Sequence, residues 1–187
     1  MYQKMDCGHL ELILGCMFSG KTTKLLEIYN MYKICDVESC VINYSLDTRY
    51  SKTHLSTHDQ KMIPCHFTDK LKQLLTESNL QKYNVFIINE GQFFSDLYET
   101  VLTLVNKHQK RVYIAGLDGD FKKNKFGQIL DLIPHADKYY KLYAICKICK
   151  NGNKATFSKR VSSENEQCVV GSDNYIPVCR KCYNCNN

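Results

Sequence analysis

The stretch Gly15 to Thr22, GCMFSGKT, sets a glycine at each end of a four-residue gap and follows the second with Lys21 and Thr22. Two glycines let the backbone wrap so that several N–H groups point inward. Lys21 adds a compact positive charge, and Thr22 offers a hydroxyl to Mg²⁺. So short a pattern also arises by chance, and its flanks decide. Upstream, Leu10, Leu12 and Leu14 alternate with Glu11 and Ile13, the period of a strand; downstream, Leu25, Leu26, Tyr29 and Tyr32 recur at helical spacing through about Cys35. Strand, loop and helix in register make a phosphate-binding loop, with the positive end of the helix dipole toward the phosphates. Gly15, Met17, Phe18, Ser19, Gly20, Lys21, Thr22 and Thr23 are the candidate nucleotide-binding residues of this segment.

The chain has 187 residues, enough for one domain and a small appendage with a real core. With 44% apolar and 24% charged residues it is not disordered. No apolar run approaches the roughly 20 residues that span a bilayer, so no membrane association is expected. The first residues carry charges within their apolar stretch and resemble no export signal, which points to the cytosol. Lys and Arg exceed Asp and Glu by six, an excess that suits a polyphosphate and demands no nucleic acid. Eleven cysteines, an odd number without an export signal, fit metal ligation and buried thiols better than disulfides.

Beyond the first helix, Cys40 to Tyr44 (CVINY) reads as a second buried strand, ending near Asp47 to Ser51, DTRYS. Ligands collect beyond the C-terminal ends of strands in open α/β sheets, which favours Asp47 and Arg49 as functional; a turn with a surface ion pair is the competing reading. Residues 52 to 68 hold His54, His58 and His66. His58 beside Asp59 suggests acid/base chemistry, but no nucleophile lies in register, and a polar loop is preferred. Leu71, Leu74 and Leu75 mark a short helix. Val85 to Ile88, VFII, is the strongest strand and runs directly into Asn89 and Glu90. In phosphate-loop enzymes a carboxylate at such a strand end orients Mg²⁺ or the nucleophile; Asn89 is neutral, so Glu90 carries the ionisable role.

GQFF, Gly91 to Phe94, supplies aromatic surface, and a helix with Leu97, Val101, Leu104 and Val105 follows. Arg111 to Leu117 is a further strand leading into LDGDF. Phe121 and Phe126, past its end, can hold a flat heteroaromatic ring with Phe93, or can simply be core. A helix is expected from about Gly127 to Ile133, closing at Pro134. Alternating strands and helices imply an α/β class with a mostly parallel sheet and helices on both faces. Near Tyr139 the pattern changes, giving residues 1–140 as an ATP-binding domain and 141–187 as a second, smaller one.

CKIC, Cys146 to Cys149, and CRKC, Cys179 to Cys182, are paired two-gap knuckles. Four thiolates so spaced suit tetrahedral Zn²⁺ in a closed structural site. Cys185, three residues on, either competes as a ligand or is spare. The segment between the knuckles, Lys154 to Tyr175, reads as a loop tied at its base by the metal and able to close over a substrate, excluding water from phosphoryl transfer. Lys159 and Arg160 within it read equally well as solvated charges.

GCMFSGKT, DTRYS, THD (Thr57 to Asp59), NEGQFF, LDGDF with Phe126, and CKIC with CRKC, in that order from about Leu10 to Tyr183, resemble the type II thymidine kinase family of zinc-containing deoxynucleoside kinases. The resemblance implies a RecA-like sheet domain with a zinc-bearing lasso domain, usually a homotetramer. It implies transfer of the ATP γ-phosphoryl group to the 5′-hydroxyl of thymidine. Glu90 would then be the base, Lys21 and Thr22 would handle phosphates and Mg²⁺, Arg49 would stabilise the transferring group, and Asp47 would sit beside acceptor and metal. Met17, Phe93, Leu117, Phe121, Phe126 and Tyr175 match positions that enclose the nucleoside, with the main chain of Cys168, Val169 and Val170 gripping the base. Alternative readings are a broader deoxynucleoside kinase, a nucleic-acid-stimulated ATPase built from the phosphate loop and zinc knuckles, and a catalytically silent nucleotide-binding homologue.

Two positions depart from the family's pattern. Val170 stands where glycine is favoured before Gly171, which stiffens the lasso. Asn89 stands where the family usually has Asp, which weakens the hold on a hard cation. Asn89→Asp is therefore expected to lower the Mg²⁺ concentration giving half-maximal rate; an unchanged value in a magnesium titration would separate residue 89 from metal use.

Overall fold

The computed structural model describes residues 7–45, 54–56, 62–163, 166–167 and 174–185. Asp47, Arg49, His58, Asp59, Cys168, Val169 and Val170 lie outside the described residues.

In chain order the first part comprises β1 (His9–Gly15), α1 (Lys21–Ile34), β2 (Ser39–Tyr44), the short antiparallel pair β3 (His54–Ser56) and β4 (Met62–Pro64), and β5 (His66–Thr68). A 3₁₀ turn at Leu71–Leu74, α2 (Glu77–Lys82), β6 (Val85–Ile88) and a 3₁₀ turn at Gly91–Phe93 follow. Then come α3 (Leu97–Leu102), which runs on as one π turn at Thr103–Lys107, β7 (Arg111–Gly116), a 3₁₀ segment at Ile129–His135 and β8 (Lys138–Leu142). Six strands form one sheet in the order β5-β2-β6-β7-β1-β8, with every neighbouring pair parallel.

Strand alternation explains the two cores. Leu10, Leu12 and Leu14 of β1 point to one face, together with Cys40, Ile42, Phe86, Ile88, Val112 and Ile114, and are covered by Leu97 and Val101 of α3, Leu104, Ile129 and Leu132. Ile13, Val41, Val85, Ile87, Tyr113 and Ala115 point to the other, under Leu25, Leu26, Ile28 and Tyr32 of α1. The expected α/β architecture, a parallel sheet with helices on both faces, is the one observed.

Several details differ from the sequence reading. His66–Thr68, read as part of a polar loop, is the edge strand β5, parallel to β2. The helix expected at 127–133 is a 3₁₀ segment, Ile129–His135, that contains Pro134 instead of stopping before it. Ile129 and Leu132, three apart, are both fully buried, as the tighter winding requires. The sheet also extends through β8, which the sequence reading passed over as the place where the pattern changes. Its residues Lys138, Tyr139 and Lys141 are exposed, so this edge strand lacks the apolar alternation that marks β1 or β6.

Past β8 lies a smaller module: β9 (Ala144–Ile145) with β10 (Lys154–Ala155), β11 (Phe157–Arg160) with β12 (Tyr175–Val178), both pairs antiparallel, and α4 (Arg180–Asn184).

On the α1 face, Tyr32 and Tyr113 join their hydroxyls at 2.7 Å and Arg111 Nη1 donates to Tyr32 Oη at 3.1 Å. Burial, then the bond to Tyr32, pushes the Tyr113 phenol well above its usual range, so it stays neutral and the network remains a set of hydrogen bonds. Tyr113→Phe should cost about 1 kcal/mol and lower Tm by about 2–4 °C without touching the rate; an unchanged melting curve would show that the hydroxyl pair contributes nothing.

Candidate active site

The parallel register brings three strand ends to one level. Ile88 of β6 pairs with Ile114 of β7, which pairs with Leu12 of β1, and two residues on Gly116 pairs with Leu14. Glu90, Leu117 and Gly15 therefore leave the same edge of the sheet, with β7 between the other two strands. Two strand spacings put the β1 and β6 exits about 10 Å apart, a span that one phosphoryl donor and its acceptor can bridge.

At the β1 exit the segment Gly15–Thr22 turns directly into α1. Gly20 stands at the helix N-cap with φ 84°, a conformation costly for residues with a Cβ, and no side chain caps the helix. The first N–H groups and the positive dipole end are thus turned to whatever occupies the loop. Lys21 is buried, its ammonium folded back to donate to the Cys16 carbonyl at 2.8 Å. Thr22 is half-buried and Thr23 exposed. Phe18, at φ 63°, and Ser19 shape the outer turn of the loop. The arrangement is a concave, positively polarised receptor for an anion.

At the β6 exit, Asn89 is buried and its Nδ2 donates to Asn43 Oδ1 on β2 at 3.0 Å. Glu90 follows in left-handed backbone, φ 53°, ψ 43°. A non-glycine residue there is strained by roughly 1–2 kcal/mol, a cost retained where the surroundings over-determine the position. Its carboxylate accepts from Gln92 Nε2 at 2.7 Å.

Met17, Phe93, Leu117, Phe121 and Phe126 are each half-buried. Phe93 stacks on Tyr44 at 5.2 Å and meets Phe126 edge to face at 5.4 Å. The Arg160 guanidinium lies 3.7 Å from the Phe121 ring centroid and Lys122 Nζ 5.3 Å from it. Arg160 also donates to the Glu166 carbonyl, to the Gln167 carbonyl at 3.2 Å and to the hydroxyl of Tyr175, which is itself buried. Of the two sequence readings of Arg160, the solvated charge is set aside by these contacts. Asp120 holds the loop below it, accepting from the Lys122 and Asn124 N–H groups at 2.8 Å each and from Gln167 Nε2 at 3.0 Å.

Cys146, Cys149, Cys179 and Cys182 form the metal-binding constellation. Their sulfurs all lie within 4.8 Å of one another, with Cys149 Sγ 3.1 Å from Cys182 Sγ and 3.6 Å from Cys179 Sγ. Tetrahedral Zn²⁺ with Zn–S near 2.3 Å requires sulfur separations of about 3.8 Å, so the four thiols fit that ion. Cys185 is exposed and outside the group, which leaves it spare. Cys16 shares a buried cluster with Cys146 and Cys179, its thiol bonded to the Ala155 carbonyl at 3.3 Å and pushed up in pKa by burial. The next residue, Met17, donates its N–H to Ser158 Oγ on β11 at 3.0 Å. The four-cysteine module thus grips the anion loop directly.

The thymidine kinase family model matches residues 8–183. Thymidine kinase 1 of Dictyostelium discoideum is 40% identical over 185 residues, covering 95% of this chain and 78% of that protein. Thymidine kinase of Vaccinia virus (strain Ankara) is 41% identical over 180 residues, 96% of this chain and 98% of the relative. Thymidine kinase a of Arabidopsis thaliana is 40% identical over 190 residues, with 99% and 79% coverage. The chain belongs to the thymidine kinase family.

The strand, turn and helix around Gly15–Thr22, the strand that ends before Glu90 and the cluster of four cysteines are the elements read from the sequence. That reading passed over two side chains that join them, Gln92 and Ser158, and left open the role of a third, Arg160. Each is a common polar residue whose role comes from a partner far along the chain, and no local spacing announces it.

Because Met17 and Cys16 lean on the cysteine module, metal removal should reach the loop. Elemental analysis is expected to find one zinc per chain, and chelation should weaken ATP binding by about tenfold, the equivalent of one lost hydrogen bond. Folded, zinc-free protein that binds ATP with unchanged affinity would contradict this coupling.

Proposed function

We infer that this protein is a thymidine kinase that moves the γ-phosphoryl group of ATP to the 5′-hydroxyl of thymidine, giving thymidine monophosphate and ADP. The observation that carries the reading is the alignment of Glu90 with the Gly15–Thr22 loop at one sheet edge, one strand apart. The loop N–H groups and Lys21 hold the triphosphate. Glu90 takes the 5′-hydroxyl proton as the new O–P bond forms and the bond from the γ-phosphorus to its bridging oxygen breaks, the electron pair leaving with ADP. Arg49 neutralises charge on the group in flight, and Asp47 orients the acceptor.

Met17, Phe93, Leu117, Phe121, Phe126 and Tyr175 enclose the thymidine. The main chain of Cys168, Val169 and Val170 grips the base, so that the lasso of the smaller domain, residues 141–187, excludes water from the reaction. Thr22, with Asp47 and Asn89, would hold Mg²⁺, which would supply charge neutralisation at the phosphates. Donation from Asn89 Nδ2 to Asn43 leaves the Asn89 amide oxygen as its acceptor toward a hydrated ion. Zn²⁺ on the four cysteines is structural. The protein works as a cytoplasmic homotetramer without obligate nucleic acid.

Purified protein with ATP, Mg²⁺ and each deoxynucleoside in turn should yield monophosphate from thymidine. Glu90→Gln should lower kcat by about 10²–10⁴-fold with KM nearly unchanged. No product from thymidine would overturn the reading. Equal rates on every deoxynucleoside would replace it with a broader kinase, and DNA-stimulated ATP hydrolysis without nucleoside with an ATPase.

A further inference from the structure

Gln92 lies in the 3₁₀ turn after β6 and is 3% exposed, yet its amide is not a passive part of the core. It bridges two strand ends: Nε2 donates to Glu90 Oε2 at 2.7 Å, and Oε1 accepts from the Leu117 N–H at 3.0 Å. The two partners fix which way the amide faces, because a backbone N–H can only donate and an ionised carboxylate can only accept. An ionised glutamate in its place has no donor for Glu90, and a lysine or arginine has no acceptor for Leu117. Glutamine alone at this length offers both on one planar group. The fit is close as well, since a Cβ on Gly116 would stand 2.6 Å from Gln92 Oε1.

We propose that Gln92 is a positioning residue for Glu90, holding its carboxylate in the orientation that receives the acceptor proton. This rests on the reading of Glu90 as the base. Glu90 leaves a left-handed backbone position, and Gln92 meets its carboxylate from the turn that follows. The Gln92 bond removes rotamer freedom that would have to be lost during reaction. Through Leu117 the same amide ties the base to the wall of the nucleoside slot, and the two shift together.

Two substitutions separate this role from simple packing. Gln92→Met keeps the volume and removes both bonds; Gln92→Glu keeps an acceptor for Leu117 but sets a second carboxylate against Glu90. Gln92→Met should lower kcat by roughly 10–100-fold while KM for ATP and thymidine stays within about threefold; in Gln92→Glu, whose buried carboxyl donates to Glu90 only while protonated, kcat should fall as the pH is raised and that proton is lost. Retained ATP affinity and zinc content verify folding. A Gln92→Glu kcat that follows the wild-type pH profile throughout, with a loss in Gln92→Met, would assign the residue to Leu117 alone and overturn the proposal. In a Glu90→Gln background Gln92→Met should add no further loss, whereas a second full loss there would also overturn it. A Glu90→Gln enzyme at full rate would fail the base assignment itself; an inactive one beside fully active Gln92 variants would fail this proposal only.

Discussion

Parallel strand pairing is the constraint on which everything else depends. In a parallel sheet all strands exit at the same edge, so groups far apart in sequence emerge side by side. Here the register of β1, β7 and β6 puts the anion loop, Leu117 and Glu90 on one level. The apolar cores on the two faces, anchored by Phe86 and Ile88 on one side and Ile13 and Ile87 on the other, hold that register. A one-residue slip of β6 would send Phe86 to the wrong face, so the position of Glu90 is secured by the same burial that stabilises the fold.

The second constraint comes from the cysteine module. Four thiols draw β9 to β12 and α4 together, and the cluster they form includes Cys16 of the loop. Ser158 then takes the Met17 N–H, while Arg160 and Tyr183 reach the opposite wall, Arg160 over the Phe121 ring and Tyr183 Oη donating to the Phe121 carbonyl at 2.5 Å. The module therefore touches both sides of the proposed site, the phosphate side through Met17 and the nucleoside side through Phe121. A metal held by the four cysteines would then help to shape the site without any part in the chemical step.

Much of this was legible in the chain. The alternation of Leu10, Leu12 and Leu14, the glycines around Lys21 and the run Val85 to Ile88 ending in Glu90 are local signals, and each became the element they indicate. The paired knuckles likewise announced the four-cysteine cluster. What was not legible depends on distant partners. Lys138 to Leu142 forms an edge strand whose outward residues are solvated, so no apolar period marks it. Arg160 looked like a surface charge because its contacts, Phe121 in the loop after β7 and Tyr175 on β12, come from segments that only the fold brings together. Asn89, noticed as a departure from the family's aspartate, proved to be one half of a buried amide pair with Asn43, 46 residues away.

The central claim is that donor and acceptor meet at this sheet edge, with Glu90 as the group that receives the acceptor proton. A crystal structure with thymidine and a non-hydrolysable ATP analogue tests it most directly. The account predicts the triphosphate wrapped by Gly15–Thr22 and the thymidine 5′-oxygen within about 2.6–3.2 Å of the Glu90 carboxylate. A nucleoside seated with that oxygen beyond hydrogen-bond reach of Glu90, in a complex that turns over when ATP replaces the analogue, would contradict it.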